Sequence, residues 1–323
     1  MFESLWTSYR TIVFGATGYF DFTRQGFEKG QKTFTVGALD VNLSGKTVLV
    51  TGANSGLGLA AATQFARRGA NVHILCRNEA RGKAARDSIA AETKSSAVFL
   101  EVVDVASVKD VKRFVSTWKK PVDVLVNNAG ILPNERSETQ EGLESTFATN
   151  TLGTYTLTTL LLPFLQKSSD PRVVNVTSGG AFNKGLDVSD VNYTIPAAST
   201  FNGSLVYAQT KRQQIEMTEY WAAKYPAIRW YSMHPGWADT PGVQSSIPGF
   251  YNAMKTRLRT PDQGADTIVW ASIAEEAKLI RNGALLFDRK EVAQHVPLGG
   301  TTAKPGDVDK LMQICEGYLK SIN

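Results

Sequence analysis

The sequence at residues 46–58, KTVLVTGANSGLG, decides the fold of this chain. Residues 47–50 form an apolar run with the length of a buried strand, and glycines follow it directly before the helical sequence at 59–68. Glycines between a strand and a helix let the backbone approach a pyrophosphate, whose charge then meets free N–H groups and the helix dipole. The spacing is Gly-x-x-x-Gly-x-Gly, and in this context it favours dinucleotide binding over a purely structural turn. The candidate binding residues of this loop are Gly52, Asn54, Ser55, Gly56, Leu57 and Gly58.

From residue 46 onward, short apolar runs alternate with helix-length segments. Strands are predicted at 47–50, 71–75, 97–103, 122–126, 173–176, 228–233 and 284–287, and helices at 56–68, 78–93, 107–119, 140–167, 204–225, 261–277 and 307–321. Strands rich in Val, Ile and Leu that are joined by helices indicate a parallel sheet covered on both faces. The predicted fold is α/β, a doubly wound parallel sheet of Rossmann type with about seven strands, in one domain over residues 43–323.

Residues 1–42 differ from the rest and are predicted to form an amphipathic, aromatic N-terminal extension. Apolar side chains follow helical spacing at Phe2, Leu5, Trp6, Tyr9, Ile12 and Val13. The apolar run is broken by glycines and is far shorter than the ~20 residues that span a bilayer. The extension could therefore pack on the protein's own core, on a membrane or on a partner. The sequence Gly-Ala-Thr-Gly at 15–18 imitates a nucleotide-binding loop, but no third glycine follows it.

The composition is typical of a soluble globular protein, with 42% hydrophobic and 20% charged residues among 323. The 35 basic and 30 acidic residues are interspersed, which argues against nucleic acid as a partner. The two cysteines, Cys76 and Cys315, suggest no disulfide framework and therefore an intracellular, reducing compartment. We expect a cytoplasmic or peripherally membrane-associated protein, and a mitochondrial location is an alternative. The three histidines show no metal-ligand spacing, so no metal site is predicted.

Tyr207 and Lys211 form the candidate acid–base pair. They are four residues apart on a predicted helix, so the phenol and the ammonium share a face. A free tyrosine has a pKa near ~10, and a nearby cation lowers it. At about 4 Å such a pair is worth only ~1 kcal/mol in water but ~4 kcal/mol at an effective dielectric near 20. The pair therefore makes an acid only in a partly dry cleft, and otherwise it is a common surface spacing.

Arg77 follows the second predicted strand, at the position where an acidic residue would hold a ribose 2′-hydroxyl. A guanidinium suits a 2′-phosphate instead, with Arg81 and Lys83 as further candidates. NADP(H) is therefore the favoured cofactor, and NAD(H) is the alternative. The alternative is that Arg77 is only a solvated strand end.

A resemblance to a known family rests on several motifs taken together. In order and spacing, the chain resembles the short-chain dehydrogenase/reductase superfamily over residues 46 to about 290. The motifs are the loop at 51–58, Asp104-Val105, Asn127-Asn128-Ala129-Gly130, Asn150, Ser178, Tyr207-x-x-x-Lys211 and Pro235-Gly236. Each motif is weak alone, but their joint occurrence is specific. The resemblance implies an NADP(H)-dependent oxidoreductase that interconverts a carbonyl and an alcohol by hydride transfer.

The same resemblance implies the catalytic roles. Tyr207 would donate and accept the proton, and Lys211 would hold the nicotinamide ribose while lowering the pKa of the tyrosine. Ser178 would hydrogen-bond the substrate carbonyl, with Thr177 as a second hydroxyl where the family often has serine. Asn150 would hold a water that relays protons to Lys211, unless it is only a polar residue of a helix face.

The resemblance also implies further contacts to the cofactor. Asp104 and Val105 would frame the adenine, and Thr240 would bind the nicotinamide carboxamide. The fourth strand would pack against the cofactor through residues 127–130, and the turn before Thr240 would complete the site. The residues of these two segments are Asn128, Ala129, Gly130, Pro235 and Gly236.

Two segments are expected to shape a pocket for a small lipophilic substrate. The segment between Ser178 and Tyr207 is longer than in compact family members and contains Phe182, Tyr193, Ile195 and Phe201. The apolar segment at 241–260 is expected to close over the nicotinamide as a lid, unless it is an ordinary surface loop.

An alternative function is a non-catalytic NADP(H)-binding scaffold or sensor, docked on a membrane or protein complex through residues 1–42. Because the helices predicted at 140–167 and 204–225 pair subunits in many family members, a homo-oligomer is also considered.

Overall fold

An eight-stranded β-sheet forms the centre of the molecule. The structure is a computed structural model that describes residues 2–194 and 201–322, with side chains from residue 8 onward. The strands are β1 (Thr47–Thr51), β2 (Asn71–Cys76), β3 (Val98–Val102), β4 (Val124–Asn127), β5 (Arg172–Val176), β6 (Arg229–Met233), β7 (Leu285–Phe287) and β8 (Lys290–Val292). Their order is β3-β2-β1-β4-β5-β6-β7-β8, and β8 pairs antiparallel with β7 in an otherwise parallel sheet.

The doubly wound α/β class is confirmed, and the sheet has eight strands rather than about seven. The sequence does not predict β8 because its three residues include Lys290 and Glu291, which lack an apolar strand pattern. The preceding residues, Asp288 and Arg289, turn with φ values of 46° and 60°, a conformation usually signalled by Asn-Gly or Asp-Gly. The edge hairpin is therefore encoded in a turn that sequence patterns do not reveal.

Helices cover both faces of the sheet. They are α1 (Phe2–Asp21), α2 (Arg24–Gln31), α3 (Gly56–Arg67), α4 (Glu79–Thr93), α5 (Val108–Thr117), α6 (Gly153–Leu165), α7 (Gly203–Lys224), α8 (Pro241–Ser246), α9 (Pro248–Met254), α10 (Pro261–Ile273) and α11 (Asp307–Ser321). Strand residues alternate between two apolar cores, as a period of two requires. Val48 and Val50 pack with side chains of α3 and α10, whereas Leu49 packs with those of α5, α6, α7 and α11.

The sheet order creates a crevice at its carboxyl edge. Strand β1 lies between β2 and β4, so the connections from β1 and from β4 run to opposite sides of the sheet. Ligands of open parallel sheets bind at such a switch point, outside the carboxyl ends of the strands. The glycine loop after β1 lies at this point.

The helix predicted at 140–167 is wrong at its start, because residues 140–144 are not helical. A π-helical turn at Phe147–Leu152 leads into α6, and Gly142 upstream adopts a positive φ of 73°. The carboxylate of Glu144 accepts hydrogen bonds from the backbone N–H groups of Thr146 and Phe147, at 2.8 and 2.7 Å. Because this carboxylate caps the chain there, the helical segment begins after Glu144.

The N-terminal extension packs on the protein's own body in its described part. Phe22 and Phe27 are fully buried, whereas Ile12 on α1 remains 70% exposed. The side chains of Phe2, Leu5 and Trp6 lie outside the described residues. The Gly-Ala-Thr-Gly sequence lies inside α1 and not between a strand and a helix. Within residues 2–194 and 201–322, no helix has the length and hydropathy to cross a membrane.

Helices α6 and α7 are partly covered by α11. All side chains of α7 from Ala208 to Thr218 are buried, because α11 packs on α6 and α7 from outside. Leu311, Met312 and Cys315 of α11 enter the same apolar core. Subunit pairing through these helices remains a prediction.

Candidate active site

A cleft of about 1010 Å³ opens at the carboxyl edge of the sheet and collects most of the predicted site residues. Its wall contains Gly52, Asn54, Ser55, Gly56, Leu57, Arg77, Asp104, Val105, Asn128, Ala129, Gly130, Ser178, Tyr207, Lys211, Pro235, Gly236 and Thr240. Gly58 and Asn150 are not part of the wall but lie directly behind it. The sequence motifs therefore converge on one cleft although they come from elements far apart along the chain.

Tyr207 and Lys211 face the cleft from α7, whose start is capped by Asn202 through a 3.1 Å bond from the N–H of Leu205. The Nζ of Lys211 lies 5.5 Å from the centroid of the Tyr207 ring. This ammonium donates to the carbonyl of Val176 at 2.9 Å and to Oε1 of Gln214 at 3.0 Å. Lys211 is only 2% exposed, and burial lowers its pKa from 10.5 to about 7.

The pKa of Tyr207 departs from the expectation. Burial of the phenol raises its pKa above 10, and a hydrogen bond with Ser178 opposes this rise. Lys211 does not produce the expected lowering, because burial also disfavours the charged form of the lysine. In this structure both groups therefore favour their neutral forms more than the same groups in water.

Ser178 stands at the end of β5, where it caps a short 3₁₀ helix, Gly179–Asn183. Its Oγ accepts a hydrogen bond from the N–H of Gly180 at 3.1 Å. The hydroxyl of the neighbouring Thr177 donates to the carbonyl of Lys211 at 2.7 Å. Because that bond ties the Thr177 hydroxyl to α7, Ser178 is the better-placed hydroxyl for a ligand in the cleft.

Asn150 lies in the π-helical turn and is fully buried. Its side-chain amide exchanges two hydrogen bonds with the backbone of Ile131, at 2.9 and 3.0 Å, and also donates to Oγ1 of Thr210 at 3.0 Å. It thus joins the loop after β4 to α7. A π-turn at such a point is a common feature of functional sites. The relay water expected at Asn150 remains a prediction.

Sequence reasoning missed Gln214, which links Asn150 to Lys211. Its Nε2 donates to the carbonyl of Asn150 at 2.7 Å, and its Oε1 accepts from Lys211. Gln214 follows Lys211 by three positions on a helix, so it shares the functional face. That spacing is the signal that could have identified it.

The glycine loop forms a cradle that fits a pyrophosphate. The Oγ1 of Thr51 accepts hydrogen bonds from the N–H groups of Asn128 and Ala129, both at 2.9 Å, which ties the ends of β1 and β4 together. At Gly58 a β-carbon would stand 2.6 Å from the Gly52 carbonyl, so only glycine lets α3 approach this closely. Ser55 occupies the N-cap of α3 without a side-chain capping bond, so the first N–H groups of the helix can receive an anion.

Arg77 is exposed at the end of β2 and lines the cleft together with Arg81. Asn78, between them, caps α4 by accepting a 2.9 Å hydrogen bond from the N–H of Arg81. Lys83 forms an ion pair with Glu79 at 2.6 Å and is absent from the cleft wall. The structure therefore brings two of the three basic candidates together.

The two segments expected to shape the substrate pocket contribute unequally. Val243, Ile247 and Phe250 line the cleft from α8 and α9, which are short helices where the sequence suggested a loop. Thr240 caps α8 by accepting a 3.3 Å hydrogen bond from the N–H of Val243. Each helix starts at a proline, which is pre-organised for the first helical position.

The aromatic residues of the long segment after Ser178 do not line the cleft in the described part of the chain. Phe182 packs on His234 at 5.9 Å between ring centroids, and Tyr193 and Phe201 are also absent from the wall. Ile195 lies outside the described residues. The expectation was wrong for Phe182, Tyr193 and Phe201; for Phe182 the reason is that the turn after Ser178 directs its ring into a separate apolar cluster.

Comparison with known proteins places these motifs in context. The sequence model of a family described as short chain dehydrogenase matches residues 46–194. The human protein named dehydrogenase/reductase SDR family member 12 is 43% identical over 310 residues, which cover 95% of this chain and 97% of that protein. Retinol dehydrogenase 12 from Bos taurus is 32% identical over 243 residues, which cover 73% of this chain and 76% of that protein.

A solved structure is also similar to this chain over most of its length. The crystal structure of 3-ketoacyl-(acyl-carrier-protein) reductase from Brucella melitensis complexed with NADH matches with a TM-score of 0.59 and 26% identity. The match covers 76% of this chain and 97% of that one.

Proposed function

The chain belongs to the short-chain dehydrogenase/reductase superfamily of oxidoreductases, and we propose that it interconverts a lipophilic carbonyl compound and its alcohol with NADP(H). The family supports an enzyme that acts on CH–OH groups with a nicotinamide cofactor. One observation supports the proposed interconversion of a carbonyl and an alcohol. The hydroxyls of Tyr207 and Ser178 and the ammonium of Lys211 line the same cleft as the glycine loop.

The residues of the chain suit the binding of NADP(H) as its cofactor. Bound there, the cofactor supplies or accepts the hydride. The first N–H groups of α3 would receive the pyrophosphate, and Lys211 would hold the nicotinamide ribose. Arg77 and Arg81 would attract the 2′-phosphate, which supports NADP(H) over NAD(H).

The proposed catalytic side chains bind the substrate oxygen and exchange a proton with it. Ser178 donates a hydrogen bond to the carbonyl oxygen, where negative charge develops during reduction. Tyr207 then gives its phenolic proton to that oxygen, and in the oxidation direction it takes the proton back. Burial raises the pKa of the Tyr207 phenol, so the phenol holds the proton that reduction consumes, although the same rise makes it a weaker acid. Gln214 holds the Nζ of Lys211 in place between α7 and the π-turn.

A lipophilic substrate is supported by the part of the cleft wall that α8, α9 and the residue between them form. Val243, Ile247 and Phe250 present apolar surface to the cleft from the proposed lid. Such walls with a few convergent polar groups are typical of sites for small apolar ligands. The similarity to a protein named retinol dehydrogenase 12 points to the same substrate class.

The proposal is tested by NADPH oxidation with a panel of aldehydes and ketones of increasing apolar length. We expect turnover that Tyr207→Phe lowers by about 10²- to 10⁴-fold, because general acid catalysis contributes that much. Tyr155→Phe is the matched control, since its hydroxyl bonds Glu316 away from the cleft. Parallel assays with NADH check the cofactor preference.

The rival function is a scaffold that binds NADP(H) without turnover. It predicts NADPH binding, measured by fluorescence, with no reaction on any substrate of the panel. That result, or equal rates for wild type and Tyr207→Phe, would contradict the catalytic proposal.

We also propose peripheral contact with a lipid surface through the outer face of α1. Ile12 and Phe20 are 70% and 71% exposed and are two helical turns apart, so they share this face. The net charge of +5 favours anionic lipid. We expect the protein to co-sediment with phosphatidylserine-containing vesicles and an Ile12→Glu/Phe20→Glu variant to stay in the supernatant. Leu279→Glu, which changes an exposed leucine elsewhere, is the control. Equal sedimentation of the α1 variant and the control would refute this contact.

A further inference from the structure

Helix α1 lies across the mouth of the cleft with one face turned inward. Arg10, Phe14 and Gly18 are spaced four residues apart and share that face. Arg10 is buried, and its Nη1 donates to the carbonyl of Gly299 at 2.8 Å. A β-carbon at Gly18 would overlap the indole of Trp237, so the backbone of α1 lies directly against this ring. These contacts fix the inner face at both of its ends.

A buried arginine holds the end of α1. The guanidinium of Arg259 donates to the carbonyls of Asp21 and Phe22, at 2.8 and 3.0 Å, and forms a bidentate pair with Asp288 at 2.6 and 2.9 Å. The last carbonyls of a helix carry partial negative charge, which a cation there satisfies. The N–H of Trp237 donates to the same Phe22 carbonyl at 2.8 Å. The extension is thereby joined to the turn that contains Pro235 and Gly236.

Phe14 connects the two sides of the cleft. A β-carbon at Gly179, directly after Ser178, would stand 3.0 Å from the Phe14 ring. On its other side, the Phe14 ring meets Trp237 edge-on with centroids 6.3 Å apart, and Trp237 meets Phe250 of α9 at 5.0 Å. An aromatic wall therefore runs from the Ser178 turn, through α1, to the proposed lid.

We infer that α1 supplies the wall that receives the apolar end of the substrate, with Phe14 as the specificity-determining residue for an extended, unbranched carbonyl compound. The inference rests on the proposed function of the cleft. A carbonyl held by Ser178 has its substituent beside Gly179, where the rings of Phe14 and Phe22 pack, and of these two Phe14 lines the cleft. An extended apolar chain covers the wall as far as Phe250, whereas a short polar ketone leaves it in water.

The test compares kcat/KM for NADPH-dependent reduction of straight-chain aldehydes of about two to twelve carbons. In the wild type we expect kcat/KM to rise with chain length. Phe14→Ala should flatten this rise, with a loss of about tenfold for the longest aldehyde, mostly through KM, and little change for the shortest. Phe99→Ala is the matched control, because it removes a partly exposed phenylalanine from the far edge of the sheet.

A second variant tests the opposite direction. Phe14→Trp adds volume to the wall and should move the preferred chain length to shorter aldehydes. The inference is overturned if both Phe14 variants keep the length dependence of the wild type. It is also overturned if Phe14→Ala lowers kcat/KM equally at every length, because that pattern indicates damage to the Ser178 turn.

A third measurement separates this inference from the proposed function. A dodecyl alcohol with a diazirine at its tail is photolysed on the wild-type protein with NADP⁺, and the labelled peptide is identified by mass spectrometry. Labelling in residues 11–14 supports the α1 wall whether or not any aldehyde is reduced. If no aldehyde is reduced, that absence of turnover refutes the catalytic proposal but leaves the α1 wall supported. Labelling exclusively elsewhere, or none, refutes the α1 wall.

Discussion

Lys211 combines a functional position with an environment that opposes its charge. It is buried between α7 and β5, where the carbonyl of Val176 and Oε1 of Gln214 accept hydrogen bonds from its ammonium group. The four-residue spacing to Tyr207 is visible in the sequence, and so is the face that both residues share. The lowered pKa of Lys211 is not visible there, because the desolvation that causes it comes from strands and helices distant in sequence.

This buried lysine makes fold stability depend on pH. The pKa of Lys211 is about 7 in the folded protein and 10.5 as its ordinary value, so between these pH values the unfolded chain binds a proton that the folded chain does not. The free energy of unfolding should therefore rise with pH from 7 upward, by at most about 1.4 kcal/mol per pH unit from this group. Below pH 7 both states hold the proton, so this dependence on pH disappears and the full cost of burying the charged lysine remains.

Urea unfolding of wild type and Lys211→Met at pH 7, 8 and 9 measures this effect. Their difference cancels the other titrating groups, and we expect the stability of wild type relative to the variant to increase steadily over this range. A difference that stays constant with pH would show that Lys211 titrates alike in both states.

At the scale of elements, the hairpin β7–β8 and the end of α1 depend on the same ion pair. Asp288 and Arg289 hold positive φ angles in the hairpin turn, where L-residues are strained. Asp288 pairs with Arg259, and Arg289 pairs with Asp266 at 2.6 Å. These ion pairs stabilise a turn that contains no glycine. Because glycine is the usual sequence signal for such a turn, the sequence pattern does not predict it. The helix motifs, in contrast, were predictable because their signals are local.

Arg259→Met is expected to destabilise the fold by about 3 to 5 kcal/mol, because it leaves Asp288 buried without its partner. It should also release α1, so trypsin should cut within residues 1–24 much faster than in the wild type. Adding Asp288→Asn should recover part of the loss, since the unpaired charge disappears. Lys83→Met, which breaks the exposed ion pair with Glu79, is the control and should cost at most about 1 kcal/mol. A loss for Arg259→Met no larger than that of the control would contradict the clamp.

At the scale of the whole molecule, the sequence predicts the parallel sheet, its glycine loop and most of the cleft wall. Val/Ile/Leu strands and closely spaced motifs encode these features locally. The sequence does not predict that α1 forms part of the cleft wall, because the contacts that hold α1 join distant positions, such as Arg10 and Gly299, which are 289 residues apart. The cover of α6 and α7 by α11 escapes prediction for the same reason. The architecture of the sheet could therefore be predicted from local sequence patterns, whereas the cleft wall formed by α1 could be identified only from the tertiary structure.

Deuterium-labelled NADPH shows directly whether the protein transfers a hydride to a carbonyl compound. NADPH carrying deuterium at the transferable C4 position is incubated with the protein and a long-chain aldehyde, and the alcohol is analysed by mass spectrometry. We predict one deuterium in the alcohol for each NADPH oxidised, and a rate about 10²- to 10⁴-fold lower for Tyr207→Phe with NADPH binding retained. Bound NADPH without any deuterated product across the aldehyde series, or an unimpaired Tyr207→Phe variant, would contradict the account.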